Sequence, residues 1–329
     1  MNILITGGAG YVGSHAVKLL LSRGHNVWIY DNLSTGHRAA VPADRLIVGD
    51  LAERDRLDQV LVERRVEAVL HFAAFALVGE SVAYPEKYYQ NNVVNTLGLL
   101  DALRRHGIGR FVFSSTCATY GVPQNVPITE DEPQKPVNPY GNTKLAIERA
   151  LADYAAAHRW GVAFLRYFNA AGASPDGNIG EDHDPESHLI PIVLQAVLGK
   201  RPAVEVYGTD YPTPDGTCIR DYIHVDDLAT AHLLALEVLG PGQVLYCNLG
   251  TGRGNSVREV IRAAEEVTGR KVPVQEGPRR PGDPPALVAC ADRARRQLGW
   301  EPRYTDIRRI VETAWNWHRT HPNGYSKSN

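Results

Sequence analysis

Short apolar runs alternate with longer stretches of helical periodicity throughout the first half of the chain. The runs that we predict as strands are Asn2 to Thr6, Val27 to Tyr30, Arg45 to Val48, Ala68 to Phe72, Arg110 to Ser114 and Gly161 to Tyr167. The stretches that we predict as helices are Ser14 to Leu21, Leu51 to Arg65, Asn91 to His106 and Pro139 to His158. Strands that alternate with helices in this way indicate an α/β fold with a doubly wound parallel sheet. Such sheets bind their ligands at the carboxyl ends of the strands.

The pattern changes after about Gly172, where long segments rich in Pro, Gly and acidic residues begin to interrupt it. The segments that we predict as loops are 174–187, 208–217 and 276–285. Long loops in compact proteins usually serve function. We therefore predict two domains, residues 1–172 around the sheet and residues 173–329 as a smaller α/β substrate domain. Residues 223–239 are expected to pack back on the first domain.

A glycine-rich turn follows the first predicted strand and opens the first predicted helix. Its sequence is Gly7-Gly8-Ala9-Gly10-Tyr11-Val12-Gly13. Glycines in such a turn permit positive φ, let the backbone approach a pyrophosphate and let the helix pack closely on the strand. The free N–H groups at the start of the helix then face the phosphates. The strand before and the helix after indicate a dinucleotide-binding turn of the Rossmann type.

The second predicted strand ends in Asp31-Asn32. An acidic side chain about 20 residues beyond the glycine turn accepts hydrogen bonds from the ribose hydroxyls of adenosine and repels a 2′-phosphate. Asp31 therefore favours NAD over NADP as the cofactor. The alternative is an ordinary surface turn, because Asp and Asn are also good turn residues.

Tyr140 and Lys144 lie four residues apart, on one face of the helix predicted to begin after Asn138. A lysine ammonium near a phenol stabilises the phenolate, so we expect Lys144 to lower the pKa of Tyr140 from about 10 toward neutrality. Such a tyrosine can take a hydroxyl proton while hydride leaves the same carbon. A hydroxyl of the cluster Ser114-Ser115-Thr116, at the end of the preceding strand, could hold the substrate oxygen, although hydroxyl clusters also form turns and caps.

Composition excludes several classes of protein. The 329 residues carry a net charge of −2, which gives no broad basic surface for nucleic acid. The four cysteines, Cys117, Cys218, Cys247 and Cys290, lack the spacing of disulfide or metal sites, so we predict no metal site and a reducing, cytoplasmic location. No apolar run approaches the roughly 20 residues of a membrane span, and a strand that begins at Asn2 leaves no room for a signal peptide.

Taken together, these residues make the chain resemble the extended short-chain dehydrogenase/reductase family, from Met1 to about Tyr325. Within that family the chain is similar to the members that act on carbon 4 of UDP-sugars. The strings that carry the resemblance are Thr6 to Gly13, Val78 to Val82, Tyr88 to Asn92, Leu165 to Asn169, Arg220 to Val225 and Pro278 to Asp283. Their occurrence together and in this order is far more specific than any one of them.

The resemblance implies an NAD site and a UDP-sugar site. For NAD it implies Gly7, Gly10, Tyr11, Val12, Gly13, Asp31, Asn32, Asp50, Leu51, Phe72, Ala73, Ala74, Asn91, Ser114, Tyr140, Lys144 and Tyr167. For the UDP-sugar it implies Thr116, Tyr140, Phe168, Asn169, His188, Leu189, Val206, Tyr207, Arg220, Arg280, Asp283 and Leu287. Arginines suit a diphosphate because they form forked, charge-assisted hydrogen bonds.

The resemblance also implies an activity. Tyr140, Lys144 and Thr116 would be catalytic, and carbon 4 of a UDP-hexose would be inverted through a transient 4-keto sugar, with tightly bound NAD. Three positions depart from the commonest family pattern: Ala76 replaces a lysine, His188 an asparagine that contacts substrate, and Leu287 a tyrosine near the sugar's 2-position.

Other functions stay open from the sequence. A 4,6-dehydratase needs a further acid–base pair directly after the threonine, where Cys117-Ala118 stand instead. A UDP-glucuronate epimerase or decarboxylase is not excluded. A sensor that binds NAD without catalysis would have no need of the Tyr140–Lys144 pair. The resemblance further implies a homodimer formed through the helices Asn91 to His106 and Tyr140 to His158, with Leu97, Leu100, Ala150 and Tyr154 as candidate contact residues.

Overall fold

The structure, a computed structural model, describes residues 1–280 and 282–325. Pro281, which belongs to one of the strings above, lies outside the described residues. The strands are β1 Asn2–Thr6, β2 Asn26–Asp31, β3 Leu46–Val48, β4 Ala68–His71, β5 Arg110–Thr116, β6 Gly161–Tyr167, β7 Asn169–Ala171, β8 Val204–Tyr207, β9 Ile219–His224, β10 Val244–Leu249, β11 Gly254–Ser256, β12 Val274–Gly277 and β13 Ala286–Leu287.

The α-helices alternate with these strands in the first half and become more irregular in the second. They are α1 Tyr11–Ser22, α2 Arg54–Glu63, α3 Val78–Ala83, α4 Pro85–Tyr88, α5 Asn95–Arg105, α6 Pro139–His158, α7 Leu189–Val197, α8 Val225–Val238, α9 Val257–Thr268, α10 Asp292–Leu298 and α11 Ile307–Thr320. Among the described helices, none is long and apolar enough to cross a lipid bilayer.

The large sheet has the strand order β10-β6-β5-β4-β1-β2-β3, and all its strands are parallel. Its order reverses between β1 and β4, which is where doubly wound sheets open a crevice for ligands. Buried apolar side chains cover both faces of the sheet, as parallel sheets require. The predicted α/β fold with a doubly wound parallel sheet is therefore confirmed.

The second half of the chain contributes to this sheet and also builds smaller ones. β10 borders β6 at the sheet edge, although residues 244–249 fall in the range that we predicted as the second domain. α8 packs against α1. A four-stranded sheet is centred on β9, and β8 pairs with β12 in a parallel ribbon. The boundary at residue 172 stays a prediction.

Helix α6 begins where local chemistry requires. The Asn138 side chain accepts a hydrogen bond from the Gly141 N–H (2.9 Å), and Pro139 occupies the first turn. The helix before it departs from the prediction: residues Tyr89–Val94 form a π-helical turn before α5 begins at Asn95. Part of the third predicted loop is also regular, because Glu276 and Gly277 belong to β12.

Candidate active site

A cleft of about 1840 Å³ runs along the carboxyl edge of the large sheet and is lined by residues of both halves of the chain. The predicted site residues that line it are Gly7, Gly10, Tyr11, Val12, Gly13, Asp31, Asn32, Asp50, Leu51, Phe72, Ala73, Ala74, Asn91, Thr116, Tyr140, Tyr167, Phe168, Asn169, His188, Arg220, Arg280, Asp283 and Leu287. The remaining predicted residues, Ser114, Lys144, Leu189, Val206 and Tyr207, are not among the described lining residues.

The glycine turn has the geometry that a pyrophosphate requires. Gly7 has φ +71°, and a Cβ at that position would lie 2.4 Å from the Ala73 nitrogen. A Cβ at Gly13 would lie 2.3 Å from the Gly7 carbonyl oxygen, so helix and strand pack closely only with glycine there. α1 begins at Tyr11 without a capping side chain and without an acidic residue in its first turn. Its N-terminal N–H groups are thus suited to an anion, and this end of the cleft fits a dinucleotide.

Asp31 lies at the end of β2, beside the turn. Its carboxylate accepts backbone N–H bonds from Ala9 (2.9 Å) and Leu33 (2.8 Å), which fix its orientation. Burial raises the pKa of Asp31 above its ordinary value, and the two backbone hydrogen bonds oppose that rise. Asn32 in turn donates to the Asp50 carboxylate (2.7 Å). Asp31, Asn32 and Asp50, which are expected to bind the adenosine half of NAD, therefore lie side by side in the cleft wall.

Tyr140 lies in the middle of the cleft, in the first turn of α6. Its backbone N–H donates to the Ser81 hydroxyl (3.2 Å), which ties the start of α6 to α3. Burial raises the pKa of Tyr140 well above its usual range, Tyr167 raises it further, and a hydrogen bond with Thr116 lowers it. The phenol and the Thr116 hydroxyl are thus within reach of one substrate oxygen.

Lys144 lies behind Tyr140 rather than in the cleft wall. Its ammonium donates to the Ser114 carbonyl (2.9 Å) and stands 4.9 Å from the centre of the Phe113 ring. Burial lowers the pKa of Lys144 to about 7, and Glu148 opposes that lowering. We expected Lys144 to lower the pKa of Tyr140, but burial dominates and the pKa of that phenol is raised.

A buried polar network lies one turn further along α6. The Glu148 carboxylate forms an ion pair with Arg166 on β6 (2.6 Å) and also accepts from the Gln134 amide (2.9 Å) and the Ser115 hydroxyl. Both charged side chains are at most 4% exposed. Arg166 continues the network to the Tyr120 hydroxyl (3.0 Å). The network joins α6 to β5 and β6 beside the catalytic candidates, and the sequence analysis missed it.

The far end of the cleft carries the predicted UDP contacts. Arg220 forms an ion pair with Asp283, rather than with its neighbour Asp221. The Arg280 guanidinium lies 3.9 Å from the centre of the Tyr207 ring. Val206, which the resemblance places in the UDP site, is 1% exposed and packs in the apolar core of the second half. Two arginines close to one cleft suit a doubly charged diphosphate.

Cys117, next to Thr116, is a poor proton donor or acceptor. Burial raises the pKa of its thiol to about 12, although the charge of Arg220 opposes that rise. A thiol with this pKa stays protonated at neutral pH. This disfavours a dehydratase that would use the position after Thr116 as an acid or base.

Four side chains on the cleft wall come together in a way that the sequence analysis did not predict. They are Glu181, His183, Glu186 and His188, and only His188 was a candidate, as a substrate contact. Their ligating atoms lie within 4.8 Å of one another. The spacing Glu-x-His-x-x-Glu-x-His was visible in the sequence, but we interpreted the segment as a loop.

The glycine turn lies where the strand order of the parallel sheet reverses, and α6 brings Tyr140 into the same cleft. This combination is typical of α/β enzymes that use a nucleotide cofactor. The chain belongs to the NAD dependent epimerase/dehydratase family, whose family model matches residues 3–247. The resemblance stated from the sequence is thereby confirmed.

The relatives narrow the class further. The chain is 52% identical to a UDP-glucose 4-epimerase of Halalkalibacterium halodurans over 330 residues, which covers 100% of this chain and 99% of the relative. It is similar to the UDP-glucose 4-epimerase of Brucella ovis solved with NAD, with a TM-score of 0.92, 52% identity and coverage of 95% and 97% of the two chains. The UDP-glucose 4-epimerase of Bifidobacterium longum solved with NAD+ and UDP gives a TM-score of 0.93 at 39% identity, with coverage of 98% and 99%.

Proposed function

We propose that this protein is a UDP-glucose 4-epimerase, which inverts carbon 4 of a UDP-hexose and interconverts UDP-galactose and UDP-glucose. The observation that carries the proposal is a single cleft that runs from the glycine turn, past Tyr140 and Thr116, to Arg220 and Arg280. A dinucleotide and a UDP-sugar can meet there at one phenol. The relatives named UDP-glucose 4-epimerase support the same activity.

In this function the residues of the chain hold the substrate and move one proton. Thr116 and Tyr140 bind the 4-hydroxyl, and the Tyr140 phenolate oxygen takes its proton and later returns it. Lys144 supports the start of α6 through its bond to the Ser114 carbonyl. When bound, NAD would accept the hydride from carbon 4 of the sugar and later return it, and its positive charge would lower the pKa of a nearby phenol.

Inversion requires the sugar to turn while the UDP stays fixed. Arg220 and Arg280 at the far end of the cleft would bind the diphosphate, and Asp283 already orients the Arg220 guanidinium. A rigid anchor at the diphosphate and few contacts to the sugar allow the flat 4-keto sugar to present its other face. The configuration at carbon 4 can then be inverted.

The assay that tests this proposal is incubation of the purified protein with UDP-galactose and no added NAD, followed by measurement of UDP-glucose. The reaction has no net redox change, so NAD that left in mid-cycle would strand the keto sugar. We therefore expect turnover without added cofactor, and NAD(H) in the supernatant of denatured protein. Strict dependence on fresh NAD would indicate a dehydrogenase instead. A product from UDP-glucuronate alone, or loss of water, would favour the other nucleotide-sugar reactions.

We further propose that the sugar range is set in part by Leu287. This residue pairs in register with Arg220 on β9 and packs beside Phe168 and Tyr120 at the cleft wall. Leucine is shorter than tyrosine, so we expect UDP-N-acetylglucosamine to be converted, though more slowly than UDP-glucose. Leu287→Tyr should reduce the kcat/KM for the N-acetylated sugar relative to UDP-glucose by about 10- to 200-fold, the effect of about 1–3 kcal/mol in a pocket.

The control for Leu287→Tyr is Leu287→Met, which conserves volume and should leave the ratio of the two kcat/KM values close to that of the wild type. If Leu287→Tyr and the wild type discriminate equally between the two UDP-sugars, another residue limits the space beside the sugar's 2-position.

We also propose a homodimer in which α5 and α6 pair with their copies. Tyr89, Val94 and Leu97 supply exposed apolar area on this face, at 42%, 46% and 37% exposure. Leu100, named above as a candidate contact, is fully buried in the core of its own chain and cannot contribute. Sedimentation velocity at micromolar concentration should give twice the 36.2 kDa of one chain.

Leu97→Lys should shift the sedimentation of the protein toward the monomer, because a charge at the centre of an apolar contact is costly. The matched control is Val62→Lys, a 60% exposed position on α2, which is not one of the two helices in the proposed contact, and this variant should sediment as the wild type does. A wild-type monomer, or the same behaviour of both variants, would refute the proposed contact.

The proposed cytoplasmic location is supported by the four cysteines, which are all free.

A further inference from the structure

The segment from Glu181 to His188 places two carboxylates and two imidazoles around one point. The His183 Nδ1 atom lies 3.3 Å from Glu181 Oε1 and 3.8 Å from Glu186 Oε2. The His188 Nδ1 atom lies 3.8 Å from Glu186 Oε1 and contacts Glu181 Oε1. Four ligands at bond lengths of about 2.0–2.2 Å in a tetrahedron are separated by about 3.3–3.6 Å. The separation between His183 and Glu181 falls in that range, the two separations of 3.8 Å are slightly longer, and the contact between His188 and Glu181 is shorter.

The contact between His188 and Glu181 is the one that must open to admit a cation. His188 can provide that movement, because its side chain is 46% exposed whereas that of Glu181 is 3% exposed. The rigid part of the cluster is therefore formed by the two glutamates, and the adjustable part by the histidine at its edge.

The two buried carboxylates of the cluster require positive charge beside them. The Glu181 and Glu186 side chains are each 3% exposed, and buried carboxylates are stable only when paired or bound to metal. Within the described part of the chain, the only basic side chains that pair with them are those of His183 and His188. Although burial opposes the rise, the carboxylates raise the pKa of both histidines, so two protonated imidazoles can supply that charge. One divalent cation bound to two neutral imidazoles would supply the same charge and release two protons.

Hydrogen bonds within this segment and to distant parts of the chain hold it in place. The Glu186 carboxylate accepts the N–H groups of Ser187 and His188, both at 2.8 Å. The Trp317 indole on α11 donates to the Glu181 carbonyl (3.0 Å). Asp182 accepts from the Tyr325 N–H (2.8 Å). The ligand set is thus preorganised by the fold, which is what a specific metal site requires.

We propose that Glu181, His183, Glu186 and His188 form a binding site for Zn2+. Two imidazoles and two carboxylates suit zinc, whereas Mg2+ and Ca2+ prefer shells of oxygen ligands alone. Four protein ligands leave no open position, so the site is structural rather than catalytic. The cation would fix the segment that leads into α7 and that forms the cleft wall facing Tyr11. In this site His188 would bind the cation instead of contacting the substrate, the role that the resemblance implies. The inference does not depend on the proposed epimerase activity.

Equilibrium dialysis of the full-length, tag-free protein against Zn2+, after treatment with a chelator, tests the site. The wild type should bind one equivalent per chain, and His183→Ala should weaken binding by more than about tenfold, since even an outer partner of a metal ligand commonly contributes that much. The matched control is His106→Ala. The His106 side chain is 28% exposed against 26% for His183, and it also contacts a carboxylate, that of Asp58. This control should bind zinc as the wild type does.

A second variant and a second metal keep the test conclusive even if His183→Ala fails to fold. Glu181→Gln keeps the shape of the side chain and removes one charged ligand, so it should also lose zinc. Co2+ bound to the wild type should give the intense visible absorption of a four-coordinate ion. Binding of well under one equivalent by the wild type would overturn the proposal and leave an ion-pair cluster. Equal zinc binding by His183→Ala and His106→Ala, or a six-coordinate cobalt spectrum, would also overturn it.

Discussion

Tyr140→Phe is expected to reduce the kcat for conversion of UDP-galactose to UDP-glucose by at least about a hundredfold. The phenol oxygen lies in the middle of the cleft beside Thr116, and in the proposed reaction it serves both half-reactions as proton acceptor and donor. Phenylalanine keeps the ring and removes that oxygen alone. Binding of UDP, measured by calorimetry, should change little, because the substitution leaves both arginines proposed to hold the diphosphate in place.

Tyr84→Phe is the matched control for this prediction. It makes the same chemical change at a residue that is 57% exposed, and it should keep wild-type kinetics. Wild-type turnover in Tyr140→Phe would mean that another group carries the proton. Loss of UDP binding together with activity would mean that the substitution disturbs the fold of the cleft.

Glu148→Leu is expected to lower the free energy of unfolding by about 3–5 kcal/mol, because removal of one partner of a buried ion pair leaves the other charge unpaired. Here the unpaired charge is that of Arg166, which is 4% exposed. The Ser115 hydroxyl and the Gln134 amide would lose their acceptor as well. Urea denaturation at one fixed protein concentration measures the change, since a dimer would make the transition depend on concentration.

The control for Glu148→Leu is Glu312→Leu on α11. Glu312 pairs with Arg309 at the surface, where the two side chains are 48% and 69% exposed, and such pairs contribute about 0–1 kcal/mol. The double variant Glu148→Leu with Arg166→Met should recover much of the loss, because an apolar pair carries no unpaired charge. Equal effects of Glu148→Leu and Glu312→Leu would contradict the role given to the network.

The sequence predicts the first half of the fold well because each element there carries its own signal. The glycine turn, the apolar strands and the Asn138-Pro139 helix start are all local features, and α6 begins and ends where they indicate. The π-helical turn at Tyr89–Val94 has no such signal, since no residue pattern distinguishes a π-helical turn from the α-helix that it interrupts. The last two residues of β12, Glu276 and Gly277, fall in a predicted loop because this short, largely exposed strand shows no apolar alternation.

The candidate site also has features that the sequence predicts and features that it does not. The spacing of Tyr140 and Lys144 places both on one helical face, but it does not reveal how deeply that face is buried. Burial decides the pKa of both groups, and it directs the Lys144 ammonium to the Ser114 carbonyl. The pairing of Glu148 with Arg166, and that of Arg220 with Asp283, joins residues far apart in the sequence. No spacing rule predicts such pairs.

The position of β10 has a consequence for the synthesis of the protein. Among the described residues, β10 is the strand that covers the edge of β6 opposite β5. The last residue of β10 is 249 of 329, so most of the chain must leave the ribosome before the sheet can close. Until then the nascent chain exposes an unpaired apolar strand, the kind of edge that promotes association with other chains. We therefore expect this protein to depend on chaperones during translation more than after release, and any fragment that ends before β10 to aggregate.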